Sequence, residues 1–352
     1  MGWDAIKGPR IAFLGTGAQG ASIAADFAVA GLDVTFIDQW PDHIEAIRKN
    51  GITVNLPERQ INVAVPALHL CQIAEVKGHF DVVFLVVKAY DTKWACEMIK
   101  PVLAPDGLIV GLQNGMTHED IAAIVGRERT IGAVIEIASN MWVPGITNRQ
   151  NDVDESWFAL GALDTQTQTR VESVAKLLRN SGRVEVMEDI RSAKWMKLVV
   201  NAAELIPSAI LDLPLNDAAR YPGMLEVMRQ AGYEAMQAAL ADGAQIIPII
   251  GLPPVTTNNP ERYVDKIFDE VLKTFSKPDT LVTSLQDWRK GRRAEVQEVN
   301  GWVVDTLRAH GRTSPMNELV VKLGFEIENG KRQPHVENSK DMIAAYKKLG
   351  TD

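Results

Sequence analysis

Residues 11–14 form an unbroken apolar run, Ile11, Ala12, Phe13 and Leu14, which stops at a glycine-rich turn. From Ala18 to about Ala30 apolar positions recur with helical spacing, and Gly31 closes that segment. A second apolar run at 34–37 ends in Asp38, and a helix is predicted from Pro41 to Gly51, with proline at its start and glycine just past its end. Ile52, Val54 and Leu56, then Ile61, Val63 and Val65, alternate with other positions and predict a small hairpin within 52–68. Val82, Val83, Phe84, Leu85, Val86 and Val87 are apolar without a break, the pattern of a strand covered on both faces. Helices near 91–103, 117–125 and 167–181 and strands near 107–112, 131–138 and 156–161 continue the alternation. Thr117 and Asp120 have the spacing of a capping box.

From Asp189 onward strand signals nearly vanish. Helical patterns take over at roughly 190–211, 217–242, 260–275, 291–310 and 315–329, with a weaker one at 339–348. Strand–helix alternation followed by helices alone predicts an α/β chain. Its first domain, 1–188, is a doubly wound, mostly parallel sheet of the Rossmann type; its second, 189–352, is all-α. The boundary falls near 186–190. The stretch 246–260 holds Pro248, Pro253, Pro254 and Pro260 and reads as an ordered connector.

Composition narrows the function classes. A length of 352 residues accommodates two domains, each with its own core. The net charge of −8 disfavours nucleic acid or an anionic membrane as the main partner. No apolar stretch reaches the length of a membrane span. The first residues lack the basic and apolar regions of a signal peptide, and Ile6 does not fit a myristoylation site at Gly2. Only Cys71 and Cys96 occur, without metal spacing; they read as two ordinary semi-buried thiols of a cytoplasmic protein. The six histidines show no ligand pairs, so no metal is expected.

Candidate chemistry begins with Gly15, Thr16, Gly17, Ala18, Gln19 and Gly20. Gly15 permits a tight strand-to-helix turn, Gly17 lets a pyrophosphate approach the backbone, and Gly20 lets the helix pack close to the strand. The helix that follows presents free N–H groups and a positive dipole end to an anion. Asp38, at the end of the second strand, stands where a dinucleotide fold places its ribose-binding carboxylate. It would accept hydrogen bonds from both ribose hydroxyls and repel a 2′-phosphate, and no basic residue occurs between it and Arg48. NAD is therefore expected over NADP. The competing reading of Asp38 is a loop cap.

Lys88 and Gln113–Asn114–Gly115 follow two further strands and point to the same sheet edge, where ligands of such folds bind. On the helix at 190–211, Lys194, Lys197 and Asn201 share one stripe, with Glu204 flanking; Trp195, Val199 and Ala202 form an adjoining apolar stripe. The polar stripe reads either as a solvated face or as a lysine in an interdomain cleft, desolvated and able to donate a proton. Glu295 is expected on a helix whose buried stripe is Val296, Val299, Val303 and Leu307, and Thr283 and Ser284 supply hydroxyls at a helix start.

With these residues in place the chain resembles the ketopantoate reductase (2-dehydropantoate 2-reductase) family over nearly its whole length. The resemblance rests on Gly15-x-Gly17-Ala18-x-Gly20, Val87-Lys88-Ala89, Asn114-Gly115, Trp195-x-Lys197-Leu198-x-x-Asn201, Ser284-Leu285-Gln286-Asp287, Glu295 and Asn300-Gly301. It implies a Rossmann domain, a helical domain and an active site between them. It implies Lys197 as the general acid, Glu295 orienting substrate or lysine, and Asn114, Asn201 and the hydroxyl of Thr283 or Ser284 holding substrate. Lys88 would lie beside the cofactor and Asn114.

Two positions depart from the family. It usually uses NADPH, with a basic residue where Asp38 stands, and its pantoate-making members tend to carry a second asparagine where this chain has Leu205. Leu205 is expected to face the same pocket as Asn201, and an apolar side chain there would leave a polar substrate group unpaired, at about 1–3 kcal/mol. The leading expectation is a nicotinamide-dependent oxidoreductase of that family, acting on a small carbonyl or hydroxy substrate as a homodimer, with NAD preferred and NADP possible. Its rivals are an NAD-linked dehydrogenase of a less polar alcohol or hydroxy acid outside pantothenate synthesis, an opine-type reductive aminase, a flavoprotein and a non-catalytic nicotinamide sensor.

Overall fold

The computed structural model describes residues 8–252 and 259–349. Readings that fall on residues 1–7, 253–258 and 350–352, among them the N-terminal segment and Pro253 and Pro254 of the connector, lie outside the described residues. The chain divides into two compact units. One comprises Met1–Gln113 and Thr117–Ile190, the other Asn114–Met116 and Arg191–Asp352.

The first unit runs β1 (Arg10–Leu14), α1 (Ala18–Val29), β2 (Asp33–Asp38), α2 (Pro41–Asn50), β3 (Ile52–Asn55), β4 (Gln60–Val63), β5 (Ala67–His69) and β6 (Phe80–Leu85). It continues with α3 (Thr92–Ile99), β7 (Leu103–Gly111), α4 (His118–Val125), β8 (Thr130–Glu136), β9 (Ser139–Val143), β10 (Ile146–Arg149), β11 (Trp157–Ala162), α5 (Thr165–Leu178) and β12 (Arg183–Val186). Eight strands form one sheet in the order β12-β11-β8-β7-β6-β1-β2-β5. β1 pairs in parallel with β2 on one side and β6 on the other, so the winding reverses beside β1. That reversal creates the crevice in which such sheets bind ligands. Among the described residues of this sheet, only β11 and β8 pair antiparallel.

The unbroken apolar run in β6 has the cause inferred for it. Val82 and Phe84 enter the core on one face of the sheet, while Phe80, Val83 and Leu85 enter the core on the other. On the first face Phe13 stacks on Phe84 at 4.7 Å, and Phe27 of α1 meets both rings edge-on. These three rings seat α1 against β1 and β6, and so position the glycine-rich turn at its N-terminus.

A four-stranded sheet, β4-β3-β10-β9, lies over α1. The hairpin expected within 52–68 is its β3–β4 pair, whereas residues 67–69 leave the hairpin and join β2 as an edge strand. β9, β10 and β12 were not anticipated. The buried Arg149 of β10 binds Asp26 of α1 at 2.6 Å and Ser156 at 2.8 Å, which fastens the small sheet to α1. Burial raises the Asp26 carboxyl above its ordinary value, against the opposing charge of Arg149.

The second unit is helical: α6 (Ile190–Ile210, from its second residue onward), α7 (Leu215–Arg220), α8 (Met224–Ala241), α9 (Pro260–Glu270), α10 (Thr283–Arg289), α11 (Trp302–Ala309), α12 (Pro315–Glu328) and α13 (Ser339–Leu349). The single helix expected at 217–242 is two, broken before Gly223, whose φ of 82° is left-handed. The helix expected at 291–310 begins late. Residues 290–296 are irregular, a π-turn spans Gln297–Gly301, and only then does α11 start. Glu295 therefore precedes the helix, although Val296, Val299, Val303 and Leu307 are buried as the periodicity indicated.

Other local readings are corrected as well. Thr117 precedes α4 with helical dihedrals, and its buried hydroxyl makes no cap, so the capping box does not form. Thr283 and Ser284 do stand at a helix start, that of α10, although Val282 occupies the N-cap position. Cys71 is exposed and Cys96 is buried, so neither is semi-buried; burial pushes the Cys96 thiol up to about 12. Among the described residues no helix is long and apolar enough to cross a membrane.

Candidate active site

The glycine-rich turn has a different constraint at each glycine. A Cβ on Gly15, whose φ is 93°, would lie 2.6 Å from the Val87 amide nitrogen. A Cβ on Gly20 would lie 2.1 Å from the Gly15 carbonyl oxygen. A Cβ on Gly17 would meet nothing within 4 Å. Gly15 and Gly20 are thus required by packing, whereas Gly17 is required by nothing in the fold. Gly17 directly precedes α1, whose first turn carries no acidic residue and whose end carries no side-chain cap. This open, uncapped helix N-terminus fits a pyrophosphate.

Asp38, 8% exposed, both closes this loop and faces it. Its Oδ2 accepts the Thr16 amide at 2.6 Å and the Thr16 hydroxyl at 3.3 Å, and its Oδ1 accepts the Trp40 amide at 2.9 Å. The loop-cap reading is therefore correct as far as it goes. A carboxylate has about four lone-pair positions, so about one is left for a ribose hydroxyl. Arg48, the first basic residue after Asp38, is committed to the Ala67 carbonyl and Glu45. His69, beside Asp38 in the sheet, also binds Glu45, at 2.7 Å.

Lys88 and Gln113 follow the ends of the neighbouring strands β6 and β7. The Gln113 amide nitrogen donates to the Val87 carbonyl at 2.9 Å and to Thr92 at 3.0 Å, tying the ends of β6 and β7 together.

In the second unit α6 is buried all round. Lys194, Lys197, Asn201, Glu204 and Leu205 are each less than a tenth exposed, which excludes the solvated-face reading. Asn201 donates its amide to Asn114 at 3.1 Å, so these two carboxamides meet. Lys197 Nζ lies 3.7 Å from Glu204. Lys194, three residues earlier, is lowered to about 7 by burial, with the charge of Glu295 acting against the shift. Lys194 lies on this stripe and Glu204 flanks it, neither with an expected role; periodicity gives their face, but not which lysine Glu295 approaches. Ser284 is buried, and its hydroxyl has no partner among the described residues. Asn300 donates to the Ala202 carbonyl at 2.9 Å and to Asn317 at 2.8 Å, so its amide braces α6.

Two sequence profiles match this chain. Ketopantoate reductase PanE/ApbA covers residues 11–163, and Ketopantoate reductase PanE/ApbA C terminal covers residues 189–327. The chain belongs to the ketopantoate reductase family. It is a nicotinamide-dependent oxidoreductase of that family, acting between a keto group and an alcohol. A 2-dehydropantoate 2-reductase of Archaeoglobus fulgidus is 27% identical over 328 residues, spanning 91% of this chain and 98% of that one. The PanE/ApbA family ketopantoate reductase of Ralstonia eutropha is 27% identical, with a TM-score of 0.77 over 91% of this chain and 98% of its own. A ternary structure of D-mandelate dehydrogenase with NADH and anilino(oxo)acetate, 18% identical, shares the fold at a TM-score of 0.81 over 91% of this chain and 98% of its own. The family match and the curated relatives do not favour a dehydrogenase outside this family.

Proposed function

We propose that the protein interconverts a 2-keto acid and its 2-hydroxy acid, using NAD(H) in preference to NADP(H), with Lys197 as the general acid. The observation that carries this reading is the set of buried polar groups on α6. Lys197 and Asn201 share a stripe, and Asn201 bonds to Asn114 from outside the helix. The bound nicotinamide would supply the hydride. A protonated Lys197 stabilises the oxyanion that develops on the carbonyl oxygen and then donates its proton there. Asn114, Asn201 and Ser284 orient the substrate, with Thr283 adjoining, and Glu295 orients the buried lysines. Leu205, beside Asn201, makes one wall of this substrate site apolar.

Gly15 to Gly20, with Lys88 and Asn114, would form the cofactor site, and Asp38 supports NAD: its charge and its paired surroundings disfavour a 2′-phosphate. Residues 1–188 serve as the dinucleotide domain and 189–352 as the substrate and dimerisation domain of a cytoplasmic homodimer, a compartment in keeping with two free thiols.

The test is oxidation of NADH, and separately NADPH, by the purified protein with ketopantoate and with keto acids that lack its hydroxyl. Faster turnover with NADH supports the reading. Preference for NADPH would overturn the role of Asp38. Cofactor binding without turnover on any keto acid would point to a nicotinamide sensor.

A further inference from the structure

His43 is fully buried in the first turn of α2, and both ring nitrogens are engaged. Nδ1 lies 2.9 Å from the Gly145 amide nitrogen, between β9 and β10. Nε2 lies 2.8 Å from the Thr16 carbonyl oxygen. A backbone amide only donates and a carbonyl only accepts, so the ring is neutral, bare at Nδ1 and protonated at Nε2. Trp40 stacks over the ring with centroids 5.7 Å apart.

Thr16 is thereby clamped on both sides. Its N–H is held by Asp38 and its C=O by His43. No peptide bond in the described chain is cis. In a trans peptide the carbonyl and the following amide point in opposite directions. With the Thr16 carbonyl drawn toward His43, the Gly17 N–H points away from the ring, and a Cβ added at Gly17 would meet nothing within 4 Å. A flipped peptide would instead aim a carbonyl oxygen at a bound anion.

We propose that His43 is a positioning residue for the cofactor's pyrophosphate: it holds the Thr16–Gly17 peptide so that the Gly17 amide, not the Thr16 carbonyl, faces the phosphates. The proposal rests on the cofactor reading above and adds a residue that no glycine-rich fingerprint contains. His43 also latches the loop to the small sheet through Gly145, so the loop is braced from outside the Rossmann sheet.

Two variants separate positioning from simple packing. H43Q can place an amide N–H near the Nε2 position and hold Thr16. H43N can place its oxygen near Nδ1 and hold Gly145 while releasing Thr16. Dissociation constants for NADH, ADP-ribose and adenosine are measured by titration calorimetry, alongside thermal midpoints. The expected result is about a tenfold weaker affinity of H43N for NADH and ADP-ribose, with adenosine unchanged and H43Q within about threefold of wild type for all three. The KM for NADH should rise in H43N with little change in kcat. Wild-type affinity in H43N, or losses in both variants that follow their thermal midpoints and include adenosine, would overturn the proposal. If neither variant folds, nitrogen-15 spectra of the wild-type imidazole decide: a doubly protonated ring or the opposite tautomer overturns it. Wild-type protein that binds neither NADH nor NADPH would instead sink the cofactor reading beneath it.

Discussion

Replacing Gly17 and Gly20 separately by alanine divides the requirements of the fold from those of a ligand. At Gly17 the backbone has φ −61° and ψ −166°, which alanine adopts without strain, and the added methyl meets nothing within 4 Å. Alanine restricts the unfolded chain by about 0.4–1 kcal/mol relative to glycine, and a similar amount, somewhat under about 1 kcal/mol, is lost because alanine is the poorer residue preceding a helix. Gly17→Ala should therefore leave stability within about 0.5 kcal/mol of wild type. At Gly20 the methyl would sit 2.1 Å from the Gly15 carbonyl oxygen and 3.3 Å from Val86 Cβ. Both neighbours belong to the packed sheet edge, so α1 must shift, at about 2–4 kcal/mol or more. At about 2–4 °C per kcal/mol this amounts to roughly 4–16 °C in thermal midpoint. NADH binding should fail in both variants, but only Gly20→Ala should show an altered melt. A well-folded Gly17→Ala protein that binds NADH as wild type does would refute the assignment of the pyrophosphate to this turn.

Four further outcomes are expected. Lys197→Ala should lower kcat by about 10²–10⁴-fold while NADH affinity stays nearly constant, and weak binding with retained turnover would argue against its role as acid. Leu205→Asn should raise kcat/KM for ketopantoate about tenfold relative to a keto acid lacking the hydroxyl; an unchanged ratio would remove Leu205 from the substrate site. Lys194, held at about 7 in the fold against an ordinary 10.5, leaves the unfolded chain with one extra proton between those values, so its contribution to stability rises with pH across that window. Urea midpoints at pH 7, 8 and 9 should climb more in wild type than in Lys194→Met, and parallel profiles would contradict this. Arg149→Met should cost about 3–5 kcal/mol by leaving Asp26 buried and unpaired, and adding Asp26→Leu should recover much of it; a loss under about 1 kcal/mol would show the pair to be dispensable.

The parts of the molecule legible in the chain are those whose cause is local. The apolar run of β1, the glycine turn and the period of α1 lie within about twenty consecutive residues, and turn geometry and side-chain spacing suffice to read them. The unbroken run in β6 could be read because burial on both faces leaves no polar position. β9 and β10 were invisible for the opposite reason. Trp142, Val143 and Ile146 are exposed, Asn140 and Asn148 pair with each other, and no alternation marks a core face. β10 is a strand because it lies against β3, more than ninety residues away.

The site divides along the same line. Residue types and their order announce a dinucleotide turn, a lysine–asparagine stripe on a helix and an acidic residue after the second strand. Which of these groups meet is a matter of packing between distant segments. Asp38 is three-quarters occupied by Thr16 and Trp40, and His43 joins residues 16 and 145 through one ring. Lys194 and Lys197 are equivalent by period, yet desolvation brings Lys194 to about 7 against the opposing charge of Glu295, a hundred residues away. Sequence alone determined the elements, their order and the chemistry on each face, because these follow from local sterics and from the period of apolar positions. The tertiary structure alone decided protonation, hydrogen-bond partners and the attachment of the small sheet, because those depend on which distant groups share a desolvated volume.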